Sequence, residues 1–268
     1  MIREPVVSGR FYPADARELS KQVEAYAAGN GAEKVAARGC IVPHAGYMYS
    51  GHVAGAVYKA LRMPRRFILL GPRHYPRGEA LAILSEGTWI TPLGEAKIDS
   101  ALAMELKSAC PLLREDAVAH RSEHALEVQL PFLQRLAPGF AFVPVALGTD
   151  RFPALEELGR AVGEVVAAQT EAVLVVASSD MNHYESDDIT REKDRKAIDC
   201  ILALDARGLY DTVRREGITM CGFGPAVALL TAARELGAKR AELIRYATSG
   251  DITGERNEVV GYAGIIIQ

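Results

Sequence analysis

Several histidines of this sequence follow short apolar runs, where an imidazole can bind a metal ion or transfer a proton. His44 and His74 each lie within three residues of the end of such a run. A third run is followed closely by Asp180 and His183. In open α/β sheets, ligands bind beyond the carboxyl ends of the strands, so parallel neighbours would bring these side chains together. We therefore predict one site assembled from three loops.

Cys221 is a further candidate for this site. It directly precedes Gly222 and the predicted helix 224–236. A thiol before a helix start lies near the positive end of the helix dipole, which is expected to lower its pKa. Together with His44 and His74 it would form a set of two imidazoles and a thiolate, which suits zinc, iron or copper better than magnesium or calcium. Three protein ligands would leave positions open for water or substrate.

Simpler interpretations stay open for several of these residues. Asp180 could cap the segment after its strand, and Cys221 could be a buried core thiol. Otherwise Asp180 and His183 would support the ligands, or serve as a proton donor and acceptor beside a bound substrate. Tyr47 could line the pocket or pack beneath it.

The segment "AHRSEHALEVQ" offers one more histidine. Ser122 is expected to cap a helix over 122–136, which would leave His120 outside that helix. His124 would then lie in the first turn, where it either faces the crevice or points away from it. The metalloprotease pattern H-E-x-x-H is absent from the sequence.

The apolar runs that must position these residues are nearly continuous, which favours strands buried on both faces of a sheet. They cover 40–43, 67–71, 80–84, 140–147, 172–177, 241–247 and 258–267. Between them, helical patterns cover 51–61, 99–109, 122–136, 153–168, 190–204, 206–215 and 224–236. Segment 88–99 is typical of a hairpin at the sheet edge. The alternation predicts an α/β fold, with a mixed, mostly parallel central sheet flanked by helices.

Composition restricts the class of protein further. The chain has 268 residues, 49% of them hydrophobic, which suits a single domain over 1–268 or two smaller compact domains. The net charge is −3 and no basic tract indicates a nucleic-acid partner. No apolar run approaches the roughly 20 residues that span a bilayer, and the N-terminus lacks the features of a signal peptide. We therefore expect a cytoplasmic protein without a membrane partner, whose four separated cysteines are free thiols.

Six motifs occur in an order that resembles the Memo-like family, whose prokaryotic members are called AmmeMemoRadiSam system protein B. The resemblance covers essentially the whole chain. Its motifs are "SGRFYP", "VPHAGYMYSG", "LLGPRHY", "EHALEVQLPFL", "SSDMNHY" and "MCGFGP".

The resemblance implies a fold like that of the class III extradiol ring-cleaving dioxygenases of the LigB type. It places the metal site on His44, His74 and Cys221, with iron (Fe2+) expected first and copper or zinc as alternatives. Asp180 and His183 would line the same pocket, and His183 would occupy the position of the dioxygenases' acid/base histidine. Those enzymes use two histidines and a carboxylate. Because Cys221 takes the place of the carboxylate, ring cleavage does not follow from the fold.

Three functions are compatible with these residues. The first is a metal-dependent redox or oxygen-using protein in a pathway with AMMECR-type and radical-SAM proteins. The second is a non-catalytic module that holds a small molecule or peptide segment in the pocket, with Arg73 and Tyr75 near an anionic group. His124 and Gly222 would also line that pocket. The third is zinc-assisted hydrolysis, for which only Asp180 offers a general-base carboxylate.

Overall fold

A mixed twelve-stranded sheet forms the centre of the part of the chain described by the computed structural model, residues 1–29 and 33–268. Its strands are β1 (Ile2–Arg3), β2 (Gly39–Val42), β3 (Arg66–Pro72), β4 (Leu81–Ile83), β5 (Thr88–Thr91), β6 (Gly94–Ile98), β7 (Arg114–Glu115), β8 (Ala141–Leu147), β9 (Val173–Ser178), β10 (His183–Glu185), β11 (Ala241–Thr248) and β12 (Val259–Ile267).

Helices connect these strands. They are α1 (Ala16–Tyr26), α2 (Tyr47–Ala60), α3 (Ser100–Ala109), α4 (Ala117–Arg121), α5 (Leu130–Leu136), α6 (Phe152–Ala167), α7 (Asp187–Leu202), α8 (Ala206–Glu216), α9 (Phe223–Glu235) and α10 (Gly250–Thr253). None of the helices in the described ranges is both long and apolar enough to cross a membrane.

The middle of the sheet is parallel, and its strands are buried on both faces. The order along the main path is β1-β5-β6-β8-β3-β9-β2-β12-β10. Strands β6, β8, β3, β9 and β2 pair in parallel, whereas β12 pairs antiparallel with β2, β10 and β11. The predicted hairpin is formed by β5 and β6 and lies near one edge, with only β1 outside it. The predicted mixed α/β sheet is confirmed.

Alternate residues of each central strand enter different hydrophobic cores. In β3, Ile68 belongs to the core that includes helices α3, α6, α7, α8 and α9, whereas its neighbour Phe67 belongs to the core that includes α1, α2 and α5. Val175 and Val176 of β9 divide between the two faces in the same way. Successive side chains of a strand point to opposite faces of the sheet. Because helices cover both faces, neither face of a central strand is polar. The continuous apolar runs in the sequence have this cause.

The helix predicted over 122–136 is wrong at its start. A short helix, α4, begins after Asp116, whose carboxylate accepts a hydrogen bond from the amide of Val118, and ends at Ser122. His120 therefore lies inside a helix, and Ser122 is a C-cap rather than an N-cap. The chain then turns because the carboxylate of Glu123 accepts the amides of the next two residues. The helix restarts as α5, with Pro131 in its first turn as its fixed φ favours.

Candidate metal centre

Three parallel strands deliver the predicted site residues to one edge of the sheet. Strand β9 lies between β3 and β2 and runs parallel to both. The loops after β2 and β3 carry His44 and His74, and the loop after β9 carries Asp180 and leads to His183. Their carboxyl ends share an edge, so the loops meet where the topology requires.

One ligand atom each from His44, His74 and Cys221 lies within 4.8 Å of the other two. The Cys221 Sγ lies 3.2 Å from the Nε2 of His44. A second trio, Asp180, His183 and Cys221, meets the same limit. The structure thus brings all five predicted residues together around the cysteine sulfur.

Cys221 reaches this point because Gly222 lies against the end of β9. A Cβ at Gly222 would fall 2.3 Å from the carbonyl oxygen of Ser178, so any side chain there would displace the loop. The Gly222 amide donates to the Ser179 hydroxyl at 3.0 Å, and the Asp180 amide donates to the cysteine sulfur at 3.3 Å. Close backbone approach is the physical reason for glycine at this position.

The predicted lowering of the thiol pKa is wrong for this arrangement. Burial and the nearby Asp180 carboxylate raise the pKa of Cys221 well above its ordinary value. The helix dipole predicted the opposite direction, but desolvation penalises the thiolate more strongly. The thiolate form would therefore depend on a cation at the site, which offsets that penalty.

The ring of His44 is held by neutral partners in the interior. Its Nδ1 lies 2.9 Å from the Ser178 hydroxyl. That hydroxyl donates to the Ala125 carbonyl at 2.7 Å and accepts from the Gln129 amide at 2.9 Å. The only hydroxyl hydrogen is thus committed, so Nδ1–H of His44 donates to Ser178 and the Nε2 lone pair faces the cysteine. Burial, and then the nearby His74, lowers the pKa of His44 to about 3.

The Gln129 side chain is in turn fixed on all sides. Its amide nitrogen donates to the Pro43 carbonyl and to Ser178, both at 2.9 Å. Its amide oxygen accepts from the Tyr58 hydroxyl at 2.9 Å. The network behind His44 therefore extends from the sheet into helix α2.

His74 has a charged partner instead. Its Nδ1 lies 2.8 Å from Oε1 of Glu123, and its backbone amide donates to Oε2 at 2.6 Å. Burial is the largest single effect and lowers the pKa of His74, but the hydrogen bond to Glu123 and the nearby carboxylate charges together raise the pKa overall. The Glu123 carboxyl is also buried, which raises its pKa, yet the hydrogen bond from His74 and further donors hold that pKa at about 2.

Asp180 and His183 form the second group around the sulfur. Oδ1 of Asp180 accepts the amides of His44 and Ala45 at 2.8 and 3.3 Å, so this carboxylate fixes the loop after β2. Burial raises the pKa of Asp180 despite these hydrogen bonds. The Nδ1 of His183 lies 2.9 Å from the Thr219 carbonyl, which can only accept, so Nε2 carries the free lone pair.

The remaining predicted pocket residues divide between the cluster and its surroundings. The ring of His124 lies 5.6 Å from that of His44 and stacks on His74 at 4.6 Å, so it joins the cluster. Burial, and then His44, lowers the pKa of His124 to about 4. Tyr47 is buried in the core, where its hydroxyl donates to the Val128 carbonyl at 2.6 Å. It therefore packs beneath the site.

Arg73 and Tyr75 flank His74 but differ in what they contact. The Arg73 guanidinium donates to the backbone carbonyls of Arg77, Gly78 and Glu79, so it shapes its own loop. Tyr75 is 49% exposed and free to contact a bound molecule.

Sequence reasoning missed the residues that support the ligands, namely Glu123, Ser178 and Gln129. Each lies in a motif already noted, but nothing in the sequence says which strand end its side chain meets. Only the pairing of β9 with β2 brings Ser178 beside the loop of His44.

Comparison with known proteins establishes the family. The model of the Memo-like protein family matches residues 3–266. The chain is 41% identical to MEMO1 family protein MK0963 of Methanopyrus kandleri, covering 100% of this chain and 99% of that protein. It is 40% identical to MEMO1 family protein Mbar_A1422 of Methanosarcina barkeri, over the whole of both chains. The chain belongs to the Memo-like protein family.

A solved structure shares the fold at much lower similarity. The crystal structure of uncharacterized protein JW3007 from Escherichia coli K12 covers 78% of this chain and 89% of its own, with a TM-score of 0.50 and 14% identity. At that identity the match shows a common fold and carries no information about activity.

Proposed function

We propose that this protein binds a transition metal through His44, His74 and Cys221 and uses it in a redox or oxygen-related reaction. The observation that carries the proposal is the convergence of the three ligand atoms within 4.8 Å of one another. Both imidazoles have their Nδ1–H committed to an oxygen acceptor, which leaves Nε2 for a metal.

We propose Fe2+ first, on the resemblance to the dioxygenases, with copper or zinc as alternatives that the same donors accept. Two imidazoles and a thiolate are ligands that these metals accept, whereas magnesium and calcium prefer oxygen. When bound, such an ion would supply Lewis acidity and, for iron or copper, electron transfer. Cys221 takes the place of a carboxylate ligand, and we therefore do not propose aromatic ring cleavage.

Asp180 and His183 are the residues that would handle protons. The unprotonated Nε2 of His183 could accept a proton from a molecule bound beside the sulfur, with Nδ1–H fixed by the Thr219 carbonyl. Asp180 holds the loop of His44 in place, and its raised pKa favours keeping a proton at the site. The bound molecule would be small or a short peptide segment, in a pathway shared with AMMECR-type and radical-SAM proteins.

The proposal is tested by purifying the protein without oxygen and measuring bound metal by mass spectrometry. The variant His44→Ala/His74→Ala/Cys221→Ala should lose the metal that the natural protein retains. The matched control is His52→Ala/Cys200→Ala, since both side chains lie outside the cluster and no candidate ligand set among the described residues includes them. Equal occupancy in the natural protein and the triple variant would refute the ligand assignment.

A second candidate is a binding module that reuses the crevice. It is favoured by two exposed tyrosines beside site histidines, Tyr75 at 49% and Tyr184 at 73% exposure. Tyr184 also has a φ of 60°, a strained backbone for a non-glycine residue. An AMMECR-type protein that binds the triple variant as tightly as the natural chain, but not Tyr75→Ala/Tyr184→Ala, would support this function over the first.

A further inference from the structure

We propose that Glu123 is a positioning residue that fixes the ring of His74 with the Nε2 lone pair toward Cys221, and that Arg3 holds Glu123 there from the N-terminus. This inference deepens the proposed function and rests on it for the role of His74 as a ligand. The side chain of Glu123 is 1% exposed and is hydrogen-bonded to both the ring and the backbone amide of His74, so it acts through His74.

Glu123 is an acceptor for four hydrogen atoms at once. Its Oε1 accepts from Nδ1 of His74 and from the amides of His124 and Ala125, at 2.8, 2.9 and 2.9 Å. Its Oε2 accepts the amide of His74 at 2.6 Å. Of the two neutral tautomers of His74, a carboxylate with only acceptor oxygens accommodates the one with hydrogen on Nδ1. A metal could then bind at Nε2.

Glutamine cannot reproduce this pattern, although its shape is almost the same. With the amide oxygen at the Oε1 position, its NH2 group would face the backbone N–H of His74. In the flipped orientation the NH2 group would face Nδ1 of His74 and two backbone N–H groups. In either orientation the NH2 group of glutamine faces at least one N–H donor. In the second orientation it also favours the His74 tautomer with hydrogen on Nε2, which blocks that atom for a metal.

The N-terminal arm, residues 1–14, secures Glu123 through its backbone. Nη2 of Arg3 donates to the Glu123 carbonyl at 2.5 Å and Nε donates to the His120 carbonyl at 2.8 Å. Nη1 of Arg3 donates to Oε2 of Glu127 at 2.9 Å and forms an ion pair with it, and both side chains are nearly inaccessible to solvent. Glu127 also accepts the amides of Val6 and Val7.

The arm thus holds the chain on both sides of Glu123. The Arg3 guanidinium lies over the Trp89 ring at 3.9 Å, which adds a cation–π contact. A segment far from the site in sequence therefore determines where Glu123 lies.

The experiment measures the tautomer of His74 in metal-free protein by long-range ¹H–¹⁵N NMR, and the affinity for Zn²⁺ by competition with a chromophoric chelator. The natural chain should show hydrogen on Nδ1. Glu123→Gln should shift the population toward hydrogen on Nε2 and weaken Zn²⁺ binding roughly 10- to 100-fold. Glu123→Asp keeps the charge and should largely keep the Nδ1–H tautomer.

Glu115→Gln is the matched control. This carboxylate also accepts a backbone amide and a hydroxyl, both from Ser85, but lies outside the histidine cluster. It should change neither the tautomer nor the affinity. A natural chain with hydrogen on Nε2 of His74, or a Glu123→Gln variant that keeps both tautomer and affinity, would overturn the proposal. If neither the natural chain nor any variant binds Zn²⁺, the ligand assignment fails. The NMR measurement of the His74 tautomer still tests the role of Glu123 in that case.

Discussion

The two histidines of the candidate centre are held by opposite kinds of environment. His44 is 2% exposed and donates to a hydroxyl in a neutral network that begins inside strand β9. The side chain of His74 is 30% exposed and donates to a buried carboxylate that depends on an ion pair from the N-terminal arm. The ring of His44 is fixed by buried groups at the end of strand β9, and the ring of His74 is fixed by Glu123, which segments distant in sequence hold in place.

This difference teaches where the site is vulnerable. The neutral side depends on packing and on hydrogen bonds among uncharged groups, which link Ser178 of strand β9 through Gln129 to Tyr58 of helix α2. The charged side depends on two carboxylates, Glu123 and Glu127, that have been removed from water and must stay paired. Changes of charge should therefore disturb the His74 side first and the His44 side least.

Removing the arginine of the arm should have the largest effect. Arg3→Ala leaves the Glu127 carboxylate buried without its cation and two carbonyls without a donor, and we expect a loss of about 3–5 kcal/mol in the free energy of unfolding. Urea denaturation measures it, with Arg10→Ala as a control in the same arm, since Arg10 is exposed. A loss no greater than that of the control would contradict the description of the charged side.

Acid should also weaken the His74 side, through His120. Burial, and then the charge of Arg3, lowers the pKa of His120 to about 4. The folded state therefore binds the proton less readily than the unfolded state, whose histidine pKa is about 6.5. The contribution of neutral His120 to the free energy of unfolding is fully present above pH 6.5. It is lost as the pH falls toward 4, by up to about 3 kcal/mol.

His120→Leu removes this group and should flatten the acid side of the stability curve. Urea midpoints at pH 7.5 and 4.5 would measure the change for both proteins. Curves that fall in parallel for the natural chain and the variant would show that His120 does not titrate in this way.

The smallest change is expected on the neutral side. Ser178→Ala leaves the Ala125 carbonyl, the Gln129 amide and Nδ1 of His44 without their shared partner, which should cost about 1–3 kcal/mol in stability. Zn²⁺ affinity should fall less than in Glu123→Gln, because no charge is lost and the His44 ring stays packed. Ser50→Ala is the control, a buried serine bonded only to the Ala45 carbonyl. An affinity loss equal to that of Glu123→Gln would erase the distinction between the two sides.

Much of the architecture could be predicted from the chain alone. The apolar runs correspond to strands such as β3 and β9 to within a residue or two, because a strand buried on both faces must be apolar at every position. Helix α3 corresponds to the helical pattern over 99–109, and the side chain of Asp99 caps it by accepting the amide of Leu102. The helix predicted from Ser122 was wrong, because the carboxylate of Glu123 turns the chain there and is needed by His74.

The candidate ligands could be proposed because each follows a recognisable strand or precedes a helix. The pKa of Cys221 could not, since the helix dipole is visible in the sequence whereas burial against Asp180 is not. The same limit applies to Tyr47, whose ring is covered by residues far along the chain.

The sequence by itself determined the elements, the family and the residue types available for a metal. Local patterns carry this information, since strand periodicity and capping depend on near neighbours. Only the tertiary structure decided which way each imidazole turns, because that depends on single oxygen atoms of Ser178, Glu123 and Thr219. Those oxygens come from 36 to 134 positions away in the chain, a distance over which no sequence pattern specifies an acceptor.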